Sequence, residues 1–140
     1  MIIPVDNLHE LCKIKDGKYD VNTIDEAYHF CKKTANKHYE NFPVGSILVP
    51  RKKAKYFYSI YAFSRIADDI ADELTITTDQ NTANHFLTKY EDILRLLFEK
   101  KDVTRKDIEI KNPIFLALQD TIINNNIPIT PLSRLVTAFR

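Results

Sequence analysis

Glycine stands at only two of 140 positions, Gly17 and Gly45. Hairpins and tight loops draw on glycine for backbone angles with φ > 0, so a chain this poor in it reads as all-α. The stretch from Arg51 to Glu73 carries the point furthest. It contains neither glycine nor proline, and Phe57, Ile60, Phe63, Ile66, Ala67 and Ile70 supply apolar side chains along its whole length. As a single helix rising 1.5 Å per residue, it would be about 34 Å long.

Composition narrows the class further. Hydrophobic residues make up 44% of the chain and charged residues 28%, which fits one compact domain and excludes a disordered one at a net charge of +1. Twenty Lys and Arg against 19 Asp and Glu leave no general field for nucleic acid, so any charge-based function is local. No apolar run approaches the roughly 20 residues that span a bilayer, and Met1 to Glu10 lacks the basic-then-apolar order of a signal peptide. The expected location is the cytoplasm, with no transmembrane segment. Cys12 and Cys31 lack metal-ligand spacing and read as reduced packing residues.

Residues 1–22 read as an N-terminal arm, with Leu8, Leu11 and Cys12 marking one short helix, and 23–140 as the helical body. Thr23 with Glu26 forms a capping box, and Ala27, Phe30, Cys31, Thr34 and Ala35 continue a helix to about Tyr39. Pro43 and Gly45 break it, leaving an apolar loop from Phe42 to Pro50 that packs inward or lines a cleft. Thr78 caps a third helix running to Lys101, Asn112 with Pro113 opens a fourth ending near Asn125, and Thr130 with Pro131 opens a fifth. Phe57 and Phe63 read as core. Glu91-Asp92 and Asp107 to Glu109 read as surface charge.

The chemistry concentrates at Ala67-Asp68-Asp69-Ile70-Ala71-Asp72-Glu73. Acids are unfavourable near a helix C-terminus, which already carries partial negative charge. At 100° per residue, Tyr61, Arg65, Asp68 and Asp72 fall within roughly 60° of one another and form one polar stripe on an otherwise apolar helix. Carboxylates on one face suit Mg²⁺, which takes one or two protein acids and completes its shell with water and phosphate oxygens. The plain alternative is a solvated acidic helix end balanced by Arg65. His38 alone would complement a helix dipole, and the basic run Arg51, Lys52, Lys53 and Lys55 would be a solvated helix start.

Read jointly, these pieces match a known pattern. Ala27-Tyr28-His29-Phe30-Cys31, His38-Tyr39-Glu40-Asn41-Phe42-Pro43-Val44-Gly45-Ser46, Leu48-Val49-Pro50-Arg51 and Ser59 through Glu73 resemble the squalene/phytoene synthase family. The string from His38 to Ser46 is similar to its bacterial hopanoid-pathway branch of squalene and hydroxysqualene synthases. The resemblance covers Ala27 to Glu73, and the remainder agrees only in helical character. It implies an all-α isoprenoid synthase fold and head-to-head chemistry on prenyl diphosphates with Mg²⁺ as cofactor. By position it implies Asp68 and Asp72 as Mg²⁺ ligands, with Asp69 beside them counted as a further metal candidate. Arg65 and Tyr61 would hold the diphosphate and line the reaction centre. His38, Asn41 and Arg51 would contact substrate across the cleft, with Phe42 on its wall. An oily product implies proximity to a membrane surface.

Some positions depart from the family pattern. Many relatives have Ser where Tyr39 and Asn41 stand, and Arg where Ala54 stands, leaving Lys53 or Lys55 to supply that charge. Family members are much longer, and a later helix brings a second aspartate-rich motif that has no counterpart after Glu73. The expectation is therefore the N-terminal half of a synthase acting on farnesyl or presqualene diphosphate, inactive by itself. The alternatives are phytoene or dehydrosqualene synthesis, or a non-catalytic helical module that binds a prenyl diphosphate or a partner.

Overall fold

The computed structural model describes residues 17–38, 50–77, 80–99 and 110–139, with backbone only for Lys37, His38, Arg51 and residues 73–77. Within these the structure is helical: α1 (Ile24–His38), a 3-10 turn (Arg51–Lys53) leading into α2 (Ala54–Thr77), α3 (Gln80–Glu99), α4 (Pro113–Asn125) and α5 (Ile129–Ala138). The expected short helix near Leu8, the loop from Phe42 to Val49, Thr78 and the acids from Asp107 to Glu109 lie outside the described residues.

Local signals explain most of the helix ends. Thr23 Oγ1 accepts the Glu26 N–H at 3.1 Å, while its own hydroxyl donates to Glu26 Oε1 at 3.2 Å, so the carboxylate takes the hydroxyl proton. Asn112 Oδ1 accepts from Ile114 N–H at 2.9 Å and Phe115 N–H at 3.4 Å, and Pro113 fills the first helical position, as expected. Asn126 closes α4 in the left-handed region at φ 52°, with its N–H donating to the Ile122 carbonyl.

The fifth helix differs from expectation. It begins at Ile129 behind Pro128, which supplies no side-chain cap, so Thr130 is not the capping residue. Pro131 is tolerated inside the first turn because the leading N–H groups of a helix have no intrahelical acceptor to lose.

Helix α2 is the hub, packed against α1, α3 and α4, while α1 also meets α4 and α5 lies on α3. Helix α4 lies inside the bundle and buries nearly every residue from Pro113 to Ile122, the polar Gln119, Asp120 and Thr121 among them. At the centre Tyr90 of α3 stacks on Phe63 of α2 at 4.7 Å between centroids, meets Phe115 of α4 at 5.2 Å, and donates its hydroxyl to the Phe63 carbonyl at 2.9 Å. Cys31 is a buried free thiol, raised above its ordinary pKa by burial, in keeping with a packing role.

A buried polar cluster ties α1, α2 and α4 together. The Tyr28 hydroxyl donates to Asp120 Oδ2 at 2.7 Å and lies 3.2 Å from Thr121 Oγ1, which is 2.6 Å from Ser59 Oγ. Burial, chiefly, lifts the Tyr28 phenol far above its ordinary value and keeps it a donor. Tyr28→Phe leaves the Asp120 carboxylate buried without that donor, so a loss of about 1–3 kcal/mol is expected in denaturant unfolding. An unchanged midpoint would show that the cluster carries no net stability.

Two side chains expected elsewhere are relocated by packing. Phe57 is 42% exposed. It stands one turn before Tyr61 on the same stripe of α2, away from the neighbouring helices. Glu91 is buried: α5 lies over it, its Oε1 accepts from Ser133 Oγ at 3.1 Å, and Arg95 pairs with it at 3.0 Å.

Candidate functional site

The 3.6-residue period of α2 places Tyr61, Arg65, Asp68 and Asp72 along one open face. Tyr61 is half-buried and Asp72 exposed, while the Arg65 and Asp68 side chains keep 31% and 29% of their accessible surface. Asp69, the next residue round the helix, has only 4% left. The Arg65 guanidinium spans the two acids, with Nη1 3.2 Å from Asp68 Oδ2 and Nη2 3.1 Å from Asp69 Oδ1. Its Nε is buried and has no hydrogen-bond partner among the described residues.

These two pairs differ energetically. The Arg65–Asp68 bridge is part-solvated and worth at most about 1 kcal/mol, so competing ions can displace it. The Arg65–Asp69 pair is largely out of water on the acid's side, where removing one partner strands a charge and is costly. Asp68 meets a third influence. Burial first, then the negative charge of Asp72 and a hydrogen bond with it, raise the Asp68 carboxyl above its ordinary 3.8, while Arg65 pulls the other way. Two like-charged carboxylates one turn apart on an open face make a hard-oxygen donor pair whose repulsion a divalent cation would relieve.

Among the described residues no group of three or more His, Cys, Asp or Glu is arranged to hold a metal ion. A two-carboxylate set is compatible with Mg²⁺, which keeps waters and takes phosphate oxygens for the rest of its shell.

The remaining nominated residues are placed only in part. His38 ends α1 and Arg51 opens the 3-10 turn, in both cases as backbone. Asn41 and Phe42 lie outside the described residues. The Lys55 ammonium, one of two offered as a replacement charge, sits 5.1 Å from both the Tyr28 and Tyr56 ring centroids, towards α1 and off the stripe. A groove of about 440 Å³ lined by Val21, Asp25, Glu26, His29, Phe30 and Lys33 lies on α1 and includes none of the nominated residues. Sequence reasoning did not separate Asp69 from its neighbours. The signal was its offset of about 100° from Asp68, towards the buried side.

Known proteins share this arrangement of helices and sequence. The family model for squalene/phytoene synthase matches residues 35–140. The chain is similar to the crystal structure of squalene synthase HpnC from Alicyclobacillus acidocaldarius at 38% identity and a TM-score of 0.67, over 84% of this chain and 40% of that one. It is also 28% identical over 72 residues to 15-cis-phytoene synthase from Synechocystis sp., which is 51% of this chain and 21% of that relative. The chain therefore spans less than half the length of these relatives. The fold is the all-α helical fold of the terpenoid synthases. With a family model matched over most of its length, the chain belongs to the squalene/phytoene synthase family.

Proposed function

We propose that this chain carries the Mg²⁺ and diphosphate face of a head-to-head prenyl diphosphate synthase, with presqualene diphosphate as substrate and hydroxysqualene or squalene as product. The observation that carries it is the open face of α2, where a guanidinium with one buried unpartnered donor stands beside two mutually repelling carboxylates. Asp68 and Asp72 would hold Mg²⁺. When bound, that ion would neutralise charge on the departing diphosphate. Arg65 would donate to diphosphate oxygens, and the family resemblance supports His38, Asn41 and Arg51 as further diphosphate contacts. It likewise supports Tyr61 and Phe42 as aromatic neighbours of the allylic or cyclopropylcarbinyl cation, which needs such faces and the exclusion of water. The substrate implies work close to a membrane surface. Among the described residues no helix is long and apolar enough to cross one.

Similarity to the phytoene synthase supports a second reading, condensation to phytoene or dehydrosqualene. The higher identity and wider coverage of the squalene synthase favour the first.

Calorimetric titration of the chain with pyrophosphate, with and without Mg²⁺, tests the site. Mg²⁺ is expected to tighten pyrophosphate binding at least about tenfold, the size of one charge-assisted contact. Equal affinity with and without the ion contradicts the proposal. Turnover with farnesyl and with presqualene diphosphate distinguishes the two product readings in a longer chain that contains this sequence.

The pH dependence has a definite sign. Asp68 is raised in the fold, so its contribution to stability is present below the ordinary value of 3.8 and is lost as pH rises through the raised value. A cation must displace the same proton. Mg²⁺ affinity is therefore expected to fall on acidification from a higher pH than an ordinary aspartate gives, and Asp72→Asn should move that fall to lower pH.

A further inference from the structure

We infer that Asp69 is a positioning residue, not a metal ligand: it anchors the Arg65 guanidinium so that the Nη1 edge stays aimed at the substrate diphosphate when Asp68 is drawn away. This rests on the proposed diphosphate site and adds a division of labour among its acids.

Three observations carry it. Arg65 divides its two terminal nitrogens between acids of opposite exposure, with Nη1 on open Asp68 at 3.2 Å and Nη2 on buried Asp69 at 3.1 Å. A guanidinium is planar, so fixing one nitrogen restrains the direction of the other donors. The Asp69 side chain has 4% of its surface left, whereas Asp68 has 29%, and the stripe turns Asp68 and Asp72 to the open side. A metal ion on that side reaches Asp68 and Asp72 without disturbing Asp69. When the Asp68 carboxylate takes up such an ion, Nη1 loses its partner and is left facing the same side as the anion. Without Asp69, the part-exposed end of the Arg65 side chain would then be free to turn into solvent. With it, the donors remain aligned.

The test is a double-mutant cycle on the whole chain, with Asp69→Asn, Arg65→Gln and the pair, read by two titrations: Mn²⁺ alone and pyrophosphate in saturating Mg²⁺. Asp69→Asn is expected to weaken pyrophosphate about tenfold while changing Mn²⁺ affinity less than about twofold. In the Arg65→Gln background it should add no further loss of pyrophosphate affinity, because it acts through Arg65. Arginine-selective NMR gives a readout that ligand affinity does not control. Restrained Nη–H signals for Arg65 are expected in the parent chain and should disappear in Asp69→Asn with the rest of the amide spectrum intact. A loss of Mn²⁺ affinity in Asp69→Asn matching that in Asp68→Asn would make Asp69 a ligand and overturn the inference. So would an additive effect in the cycle, or unchanged Arg65 signals. Failure of the parent chain itself to bind pyrophosphate would instead overturn the underlying site, and with it this role.

Discussion

Tyr90→Ala is expected to lower unfolding stability by about 3–5 kcal/mol, enough to unfold a domain of ordinary stability in large part. Tyr90 is fully buried, and its ring meets both Phe63 of α2 and Phe115 of α4. Truncation removes both ring contacts, opens a cavity between three helices and deletes the hydroxyl bond to the Phe63 carbonyl. Tyr90→Phe separates these contributions. It keeps the rings and loses only the bond, so about 1 kcal/mol is expected. Denaturant midpoints for the two variants check the account. A loss for Phe as large as that for Ala would mean that the hydrogen bond, and not aromatic packing, holds the core.

Asp68→Asn is expected to weaken Mg²⁺-dependent pyrophosphate binding about 100-fold while leaving thermal stability within about 0.5 kcal/mol of the parent. The asymmetry follows from its surroundings. In the metal-free chain Asp68 gains a part-solvated bridge to Arg65 and suffers the charge of Asp72, so removing its charge changes stability little. Once a cation and a diphosphate are present, the same carboxylate is a ligand whose charge the site needs. Calorimetry of binding alongside thermal unfolding separates the two effects. If stability fell in parallel with binding, Asp68 would serve the fold through its bridge to Arg65 and not the site as a ligand.

Much of this was legible because it depends on neighbours in sequence. The stripe Tyr61, Arg65, Asp68 and Asp72 follows from helical period alone, and the Asn112-Pro113 start of α4 from the chemistry of a cap. What was not legible depends on distant chain. Glu91 reads as surface charge until Ser133, 42 positions away, closes over it. Asp120 meets Tyr28 across 92 positions, and no local pattern announces that a buried acid will find a phenol there. Phe57 reads as core by hydrophobicity, yet its angle on the helix puts it on the open side with the site residues. Asp69 sits in the same acidic run as Asp68, and its offset of about 100° shows only that it leaves the stripe; packing against the rest of the molecule makes it the buried acid beside two open ones. The residues expected across the cleft, Asn41 and Phe42, lie outside the described residues, so their roles rest on the resemblance alone.

The central claim is that the open face of α2 gathers a divalent cation and a diphosphate. Paramagnetic broadening by Mn²⁺ in the isotope-labelled chain, with and without pyrophosphate, tests it most directly. The account predicts amide broadening centred on Arg65 to Asp72, strengthened by pyrophosphate and abolished in Asp68→Asn. Broadening that centres elsewhere, or that ignores both pyrophosphate and the substitution, would contradict it.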